Sequence, residues 1–184
     1  MKSIFNYLVL LLLICNHLSF AQKLTRTKKK ILKSIEANNA EAIQFLKDVV
    51  NINSGTMNHE GVKKVGDVFG KAFDEIGFET NWYDMSEVNR SGHLFAETSG
   101  NKGKKLLLIG HLDTVFEADS PFQEFKMIND SIAHAPGGND MKGGNVIMLY
   151  ALKALADNGL LKDAQIIAAF TGDEEATGKP LTIS

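Results

Sequence analysis

Apolar residues recur along this chain at spacings that separate helices from strands. Between Ile31 and Val50 they fall at Ile35, Ala42, Ile43, Leu46, Val49 and Val50, which predicts a helix, with Asn38-Asn39 as a candidate break into two. The basic stretch Lys23 to Lys33 before it reads as solvated first turns. Glu60 to Ile76 carries Val62, Val65, Val68, Phe69, Ala72, Phe73 and Ile76 on one broad face, and Gly77 stands where a C-terminal cap belongs. Phe78 to Met85 and His93 to Thr98 predict two strands around a polar turn at Asn89-Arg90-Ser91-Gly92. Leu106 to Ile109 is an unbroken apolar run, the pattern of a strand covered on both faces. Phe125 to Ala133 gives a weaker strand signal. Gly143 to Asn158 predicts a helix with few polar faces, expected to be well buried and closed by Gly159, and Ala164 to Phe170 is the last strand. This order predicts an α/β fold, a layered α/β/α domain with a mainly parallel or mixed sheet.

Composition narrows the class. The 184 residues are 44% hydrophobic and carry a formal charge of -2, which suits a globular domain and argues against a general nucleic-acid binder. Residues 1–21 stand apart. Lys2 is followed by a largely apolar stretch from Ile4 to Phe20, and Ser19-Phe20-Ala21 supplies small residues for cleavage, so an export signal peptide is expected. A transmembrane anchor fits less well, because Tyr7 to Cys15 is too short and Asn16-His17 interrupt it. The expected location is periplasmic or secreted, with no stable membrane anchor. Cleavage would remove Cys15, the one cysteine, leaving core packing and bound metal to stabilise the exported chain.

The candidate chemistry sits at the ends of the two apolar strands. His111 and Asp113 follow Leu106 to Ile109, and in an extended segment alternate side chains face the same way. Asp113 is thus placed to bond one imidazole nitrogen of His111 while the other binds metal. Asp140 lies in the turn Pro136 to Gly144, before the apolar helix; capping that helix is its competing role, but its two oxygens suit it to bridge two cations. Glu174 and Glu175 follow the second apolar strand, at the end where open α/β sheets place their sites. Adjacent side chains diverge, so one of the pair can bind metal while the other carries protons, a division suited to metal-assisted hydrolysis. Phosphate-loop readings fail on spacing and on the acidic residues inside the glycine-rich turns. His59, His93 and His134 have no partner spacing and read as ordinary surface or turn residues.

Taken together, GHLDTV, PGGNDMKGG and TGDEE closely resemble the M20 metallopeptidase family of glutamate carboxypeptidases and related deacylases. The resemblance implies a zinc-exopeptidase-like fold and two divalent metal ions, zinc with cobalt or manganese as alternatives. It implies that His111 binds one metal, Glu175 the other, and Asp140 bridges them. Glu174 would be the general base and Asp113 would orient His111. The implied substrate is a peptide releasing a residue with a free carboxylate, or an N-acyl amino acid, and the full-length form is expected as a homodimer. Family members carry a further acidic residue and a histidine downstream, and an inserted lid or dimerisation domain. Residues 22–184 therefore read as the N-terminal part of the catalytic domain, a truncated form expected to bind metal weakly and to have little activity alone.

Overall fold

A computed structural model describes residues 24–178; the expected signal peptide at 1–21 lies outside them. Helix α1, Arg26–Val50, starts under Thr25, whose hydroxyl accepts from the Lys28 amide at 3.2 Å. It runs unbroken through Asn38-Asn39, against the expected division. Asparagine costs a helix only about half a kcal/mol per residue. That is outweighed by packing of Ala42, Phe45, Leu46 and Val49 on the core, and Asn38 Nδ2 bonds Asp157 at 3.1 Å. Helix α2, His59–Glu75, is capped by Asn58, which accepts from the Gly61 amide, and buries Val62, Val65, Phe69 and Phe73. Gly77 follows it at φ +89°, the left-handed conformation that ends a helix.

Strands β1 (Glu79–Asp84), β2 (Gly92–Glu97), β3 (Lys105–His111) and β6 (Gln165–Thr171) form a mixed sheet ordered β1-β2-β6-β3, in which β3 pairs β6 in parallel and the other neighbours pair antiparallel. Helix α3, Gly143–Ala156, lies on the connection between those two. Leu94, Ala96, Ile166, Ala168 and Phe170 form the sheet face that packs on the helices. Phe69 sits at its centre, 5.3 Å from Phe45 and 5.4 Å from Phe170 between ring centroids. Gly110 lets α3 approach: a Cβ there would stand 2.2 Å from Asn145 Oδ1, while Asn145 Nδ2 donates to the His111 carbonyl at 2.6 Å.

The second sheet face is less covered than the apolar runs predict. Leu107 is 56% and Ile109 65% exposed, and on α3 Ile147 is 72% exposed. A continuous apolar run shows that both faces are apolar but not that both are covered. Here β3 has β6 alone beside it, and no helix among the described residues lies over its outer face. The weak signal from Phe125 to Ala133 resolves into a separate hairpin, β4 (Lys126–Asn129) and β5 (Ile132–His134), turned where Asn129 Oδ1 accepts from the Ser131 amide.

Phe69→Ala should remove the ring that joins α1, α2 and β6, lowering unfolding free energy by about 3–5 kcal/mol, as read by urea denaturation. A loss under ~1 kcal/mol would show that this cluster is not the centre of the core.

Candidate metal centre

The parallel register sets His111 beside Thr171, so the carboxyl ends of β3 and β6 deliver their following loops to one edge of the sheet. Beyond β3 the chain is stitched to the loop before α2. The Ser54 hydroxyl donates to the Leu112 carbonyl at 2.8 Å, the Thr114 amide to Ser54 O at 2.8 Å, and the Thr56 amide to Thr114 O at 3.2 Å. His111 and Asp113 are thereby buried, Asp113 completely.

His111 Nδ1 lies 3.1 Å from the Asp113 carbonyl and 3.4 Å from its carboxylate Oδ1. A carbonyl only accepts, so Nδ1 carries a proton and Nε2 points outward. Nε2 stands 3.0 Å from Asp140 Oδ1. The Asp113 carboxylate does more than face the ring. Its Oδ2 accepts from the Thr56 hydroxyl at 2.7 Å and the Glu175 amide at 3.0 Å, and its Oδ1 accepts from the Glu174 amide at 3.1 Å.

Asp140 lies in a tight turn, Gly138–Lys142, with extended backbone at φ -131°, and its side chain is largely exposed. It does not cap α3, whose N-cap is Lys142 and receives no side-chain bond. The turn is pinned by Lys142. This buried side chain donates from Nζ to the Val49 carbonyl at 2.9 Å and the Ile52 carbonyl at 2.8 Å, one in the last turn of α1 and one just past it. Burial pushes the Lys142 ammonium down to about 7.

The acidic loop after β6 is held from several sides. Asp173 is buried and accepts from the Gly178 amide at 2.8 Å, and Arg90 donates to the Ala176 and Thr177 carbonyls. His93, read from sequence as an ordinary surface or turn residue, instead sits on β2 and accepts the Gly172 amide at 3.2 Å through Nδ1. The pairing of β2 with β6 creates that contact, and spacing along the chain carries no trace of it. Thr56, Lys142 and Arg90 escaped sequence reading for the same reason.

One ligand atom each from His111, Glu174 and Glu175 falls within 4.8 Å of the others. Asp140 joins through its bond to His111, and Asp140 and Glu175 share a cleft with Val115, Phe116 and Phe122. Burial opposes charge on His111, but hydrogen bonds and attraction from Asp113 and Asp140 overcome it and raise its pKa to about 9. Burial would raise Asp113, yet its bonds to His111, Thr56 and the two glutamate amides bring it below the usual carboxylate range. Glu175 is shifted upward, by burial and then by its carboxylate neighbours, against the pull of His111.

This donor set fits a divalent cation. Imidazole nitrogen and carboxylate oxygen are the ligands zinc accepts, and two ligands on one tetrahedral zinc stand about 3.3 Å apart. The 3.0 Å between His111 Nε2 and Asp140 Oδ1 is close to that separation. The excess of carboxylates that raises the proton affinity of His111 also favours a cation in the same place.

Comparison with known proteins agrees. The fold is shared with solved exopeptidases: human carnosine dipeptidase 1 superposes with a TM-score of 0.71 at 20% identity, over 83% of this chain and 36% of that one. An M20 family metallo-carboxypeptidase from Sulfolobus solfataricus gives 0.61 at 22% identity, over 73% and 31%. A sequence model of Peptidase family M20/M25/M40 matches residues 107–183. Carboxypeptidase G2 of Pseudomonas sp. (strain RS-16) is 31% identical over 137 residues, covering 72% of this chain and 32% of the relative. Succinyl-diaminopimelate desuccinylase of Blochmanniella pennsylvanica is 24% identical over 148 residues, 77% of this chain and 37% of the relative. The chain belongs to the M20 peptidase family, whose metallopeptidases depend on metal, usually zinc. It spans about a third of the length of the relatives it matches.

In metal-free protein, His111 holds its proton more tightly when folded, near 9, than at its ordinary value of 6.5. The stability it adds is complete below pH 6.5 and is lost as pH rises through about 9. Urea denaturation in chelator should therefore show wild type more stable than His111→Gln at about pH 6, with the gap shrinking by about pH 9.5. A gap independent of pH would show that His111 is not charged there.

Proposed function

We propose that the whole protein hydrolyses an amide bond with two divalent metal ions, zinc or alternatively cobalt or manganese, releasing a residue that carries a free carboxylate. The observation that carries this reading is the convergence of His111, Glu174 and Glu175 at one sheet edge, with Asp140 bonded to His111 from a third loop. His111 would hold one ion and Glu175 the other, with Asp140 as the carboxylate that would serve both. The ions would supply Lewis acidity to the scissile carbonyl and lower the pKa of the attacking water.

The chain's own residues do the rest. Asp113 fixes the tautomer and direction of His111 through its carbonyl and carboxylate. Glu174 takes the proton from the attacking water as the carbon–oxygen bond forms, then gives it to the leaving amine as the carbon–nitrogen bond breaks. Glu174 suits this task because its amide is anchored on Asp113 while its side chain borders the same cluster as His111 and Glu175.

A peptide substrate is supported by the relationship to carboxypeptidase G2. An N-acyl amino acid is the second reading, supported by the similarity to a desuccinylase. Comparing rates on a dipeptide and on an N-acetyl amino acid separates the two. The apolar leader at residues 1–21 supports a location outside the cytoplasm.

On these roles each ion receives two ligands from the described residues, whereas catalytic zinc normally takes three. The 184-residue chain alone should therefore bind zinc weakly and turn over little, by calorimetry and a dipeptide assay; tight stoichiometric binding with turnover would show that the roles are wrongly assigned. In the active whole protein, Glu174→Gln should lower kcat by at least about 100-fold with metal content unchanged. Turnover at the wild-type rate would remove Glu174 from the proton-transfer role.

A further inference from the structure

The loop of residues 51–58 lies apart from every motif that suggested the site, yet it reaches its centre. Thr56 is 1% exposed, and its hydroxyl donates to Asp113 Oδ2 at 2.7 Å. Its backbone is fixed independently. The Thr56 amide bonds the Thr114 carbonyl, Gly55 and Thr114 form a parallel bridge, and Asn53 ties the loop to the Phe116 carbonyl at 2.8 Å. The hydroxyl thus approaches Asp113 from a frame built on bonds to the backbone, without help from the Asp113 side chain.

Geometry gives that bond a direction of influence. Asp113 Oδ2 is shared between the Thr56 hydroxyl and the Glu175 amide, while Oδ1 takes the Glu174 amide and faces His111 Nδ1. Without the hydroxyl, rotation of the carboxylate about its last bond would be opposed only by groups of the acidic loop and by His111. With it, one oxygen is fixed from the far side and the pair presents a set plane to both glutamate amides. Without the hydroxyl, Oδ2 keeps a single donor, the Glu175 amide, which lies in the loop being positioned.

We propose that Thr56 is a positioning residue: acting through Asp113, its hydroxyl sets where Glu174 and Glu175 stand relative to His111. The metal consequence rests on the function proposed above, whereas the positioning itself does not. Thr56→Val removes the hydroxyl at nearly constant shape, and Thr56→Ser restores it.

Amide hydrogen exchange in the metal-free chain reads the positioning directly. Thr56→Val is expected to speed exchange at Glu174 and Glu175 by about tenfold, the effect of losing one buried hydrogen bond, and leave Ala96 and Ala168 in the sheet unchanged. Thr56→Ser should return both glutamate amides to wild-type rates. Cobalt titration of the same samples should show several-fold weaker binding for the valine variant and recovery for serine. Should Thr56→Val lose protection at Ala96 and Ala168 too, Thr56→Ala, which places no methyl against the carboxylate, repeats the measurement. Glutamate amides as protected without the hydroxyl as with it overturn the proposal. Because this chain alone is expected to bind metal weakly, wild-type protein that takes up no cobalt leaves the exchange rates to decide on Thr56.

Discussion

A carboxylate with no access to solvent is costly unless every oxygen is satisfied. Asp113 meets that condition with donors from three parts of the chain: the Thr56 hydroxyl, the amides of Glu174 and Glu175, and the ring of His111 two residues away. None of these groups can move far without stranding a buried charge. The requirement to satisfy Asp113 therefore locates the loop before α2, the end of β3 and the acidic loop after β6 relative to one another. The other features of the site are arranged around that constraint.

The sheet supplies the coarse placement that makes the bonds reachable. Parallel pairing of β3 and β6 in register brings His111 next to Thr171, so two loops distant in sequence leave the sheet side by side. Antiparallel β2 adds His93 against the acidic loop at Gly172. Lys142 performs the same service for Asp140 by joining its turn to the Val49 and Ile52 carbonyls, at and just past the end of α1. Its ammonium is held by those two carbonyls, and the cost of burying it is visible in its lowered pKa. The candidate ligands carried on loops are thus held by strand ends and by the chain at the end of α1.

Sequence periodicity read the elements well and their surroundings less well. Helices α1 and α2 carry their apolar residues at helical spacing over many turns, so their positions were legible to within a few residues. The coverage of β3 was not, because an apolar side chain declares its own chemistry and not what lies over it; Ile109 stands 65% exposed. Asp140 could be read as a cap or as a ligand, and only the turn's extended backbone shows that it leaves α3 uncapped. Thr56, Arg90 and His93 were invisible for a different reason. Each acts on a loop distant along the chain, through a bond that exists only after strand pairing, and none belongs to a residue type or spacing that announces the contact.

The electrostatics of the site connect its metal-free form to the proposed chemistry. Asp113 and Asp140 flank the His111 ring and lift its proton affinity despite burial. The proton so favoured sits on Nε2, between the imidazole and Asp140, the same lone pair that a metal would need. Proton and cation are then alternatives at one position, and the carboxylates that favour the first also favour the second. Asp113 differs from the other acids in this respect: its oxygens are already occupied by amide and hydroxyl donors, so it remains ionised and structural while Asp140, Glu174 and Glu175 keep oxygens free. Burial and hydrogen bonding, rather than residue type, divide one group of carboxylates into a frame and a set that keeps free oxygens.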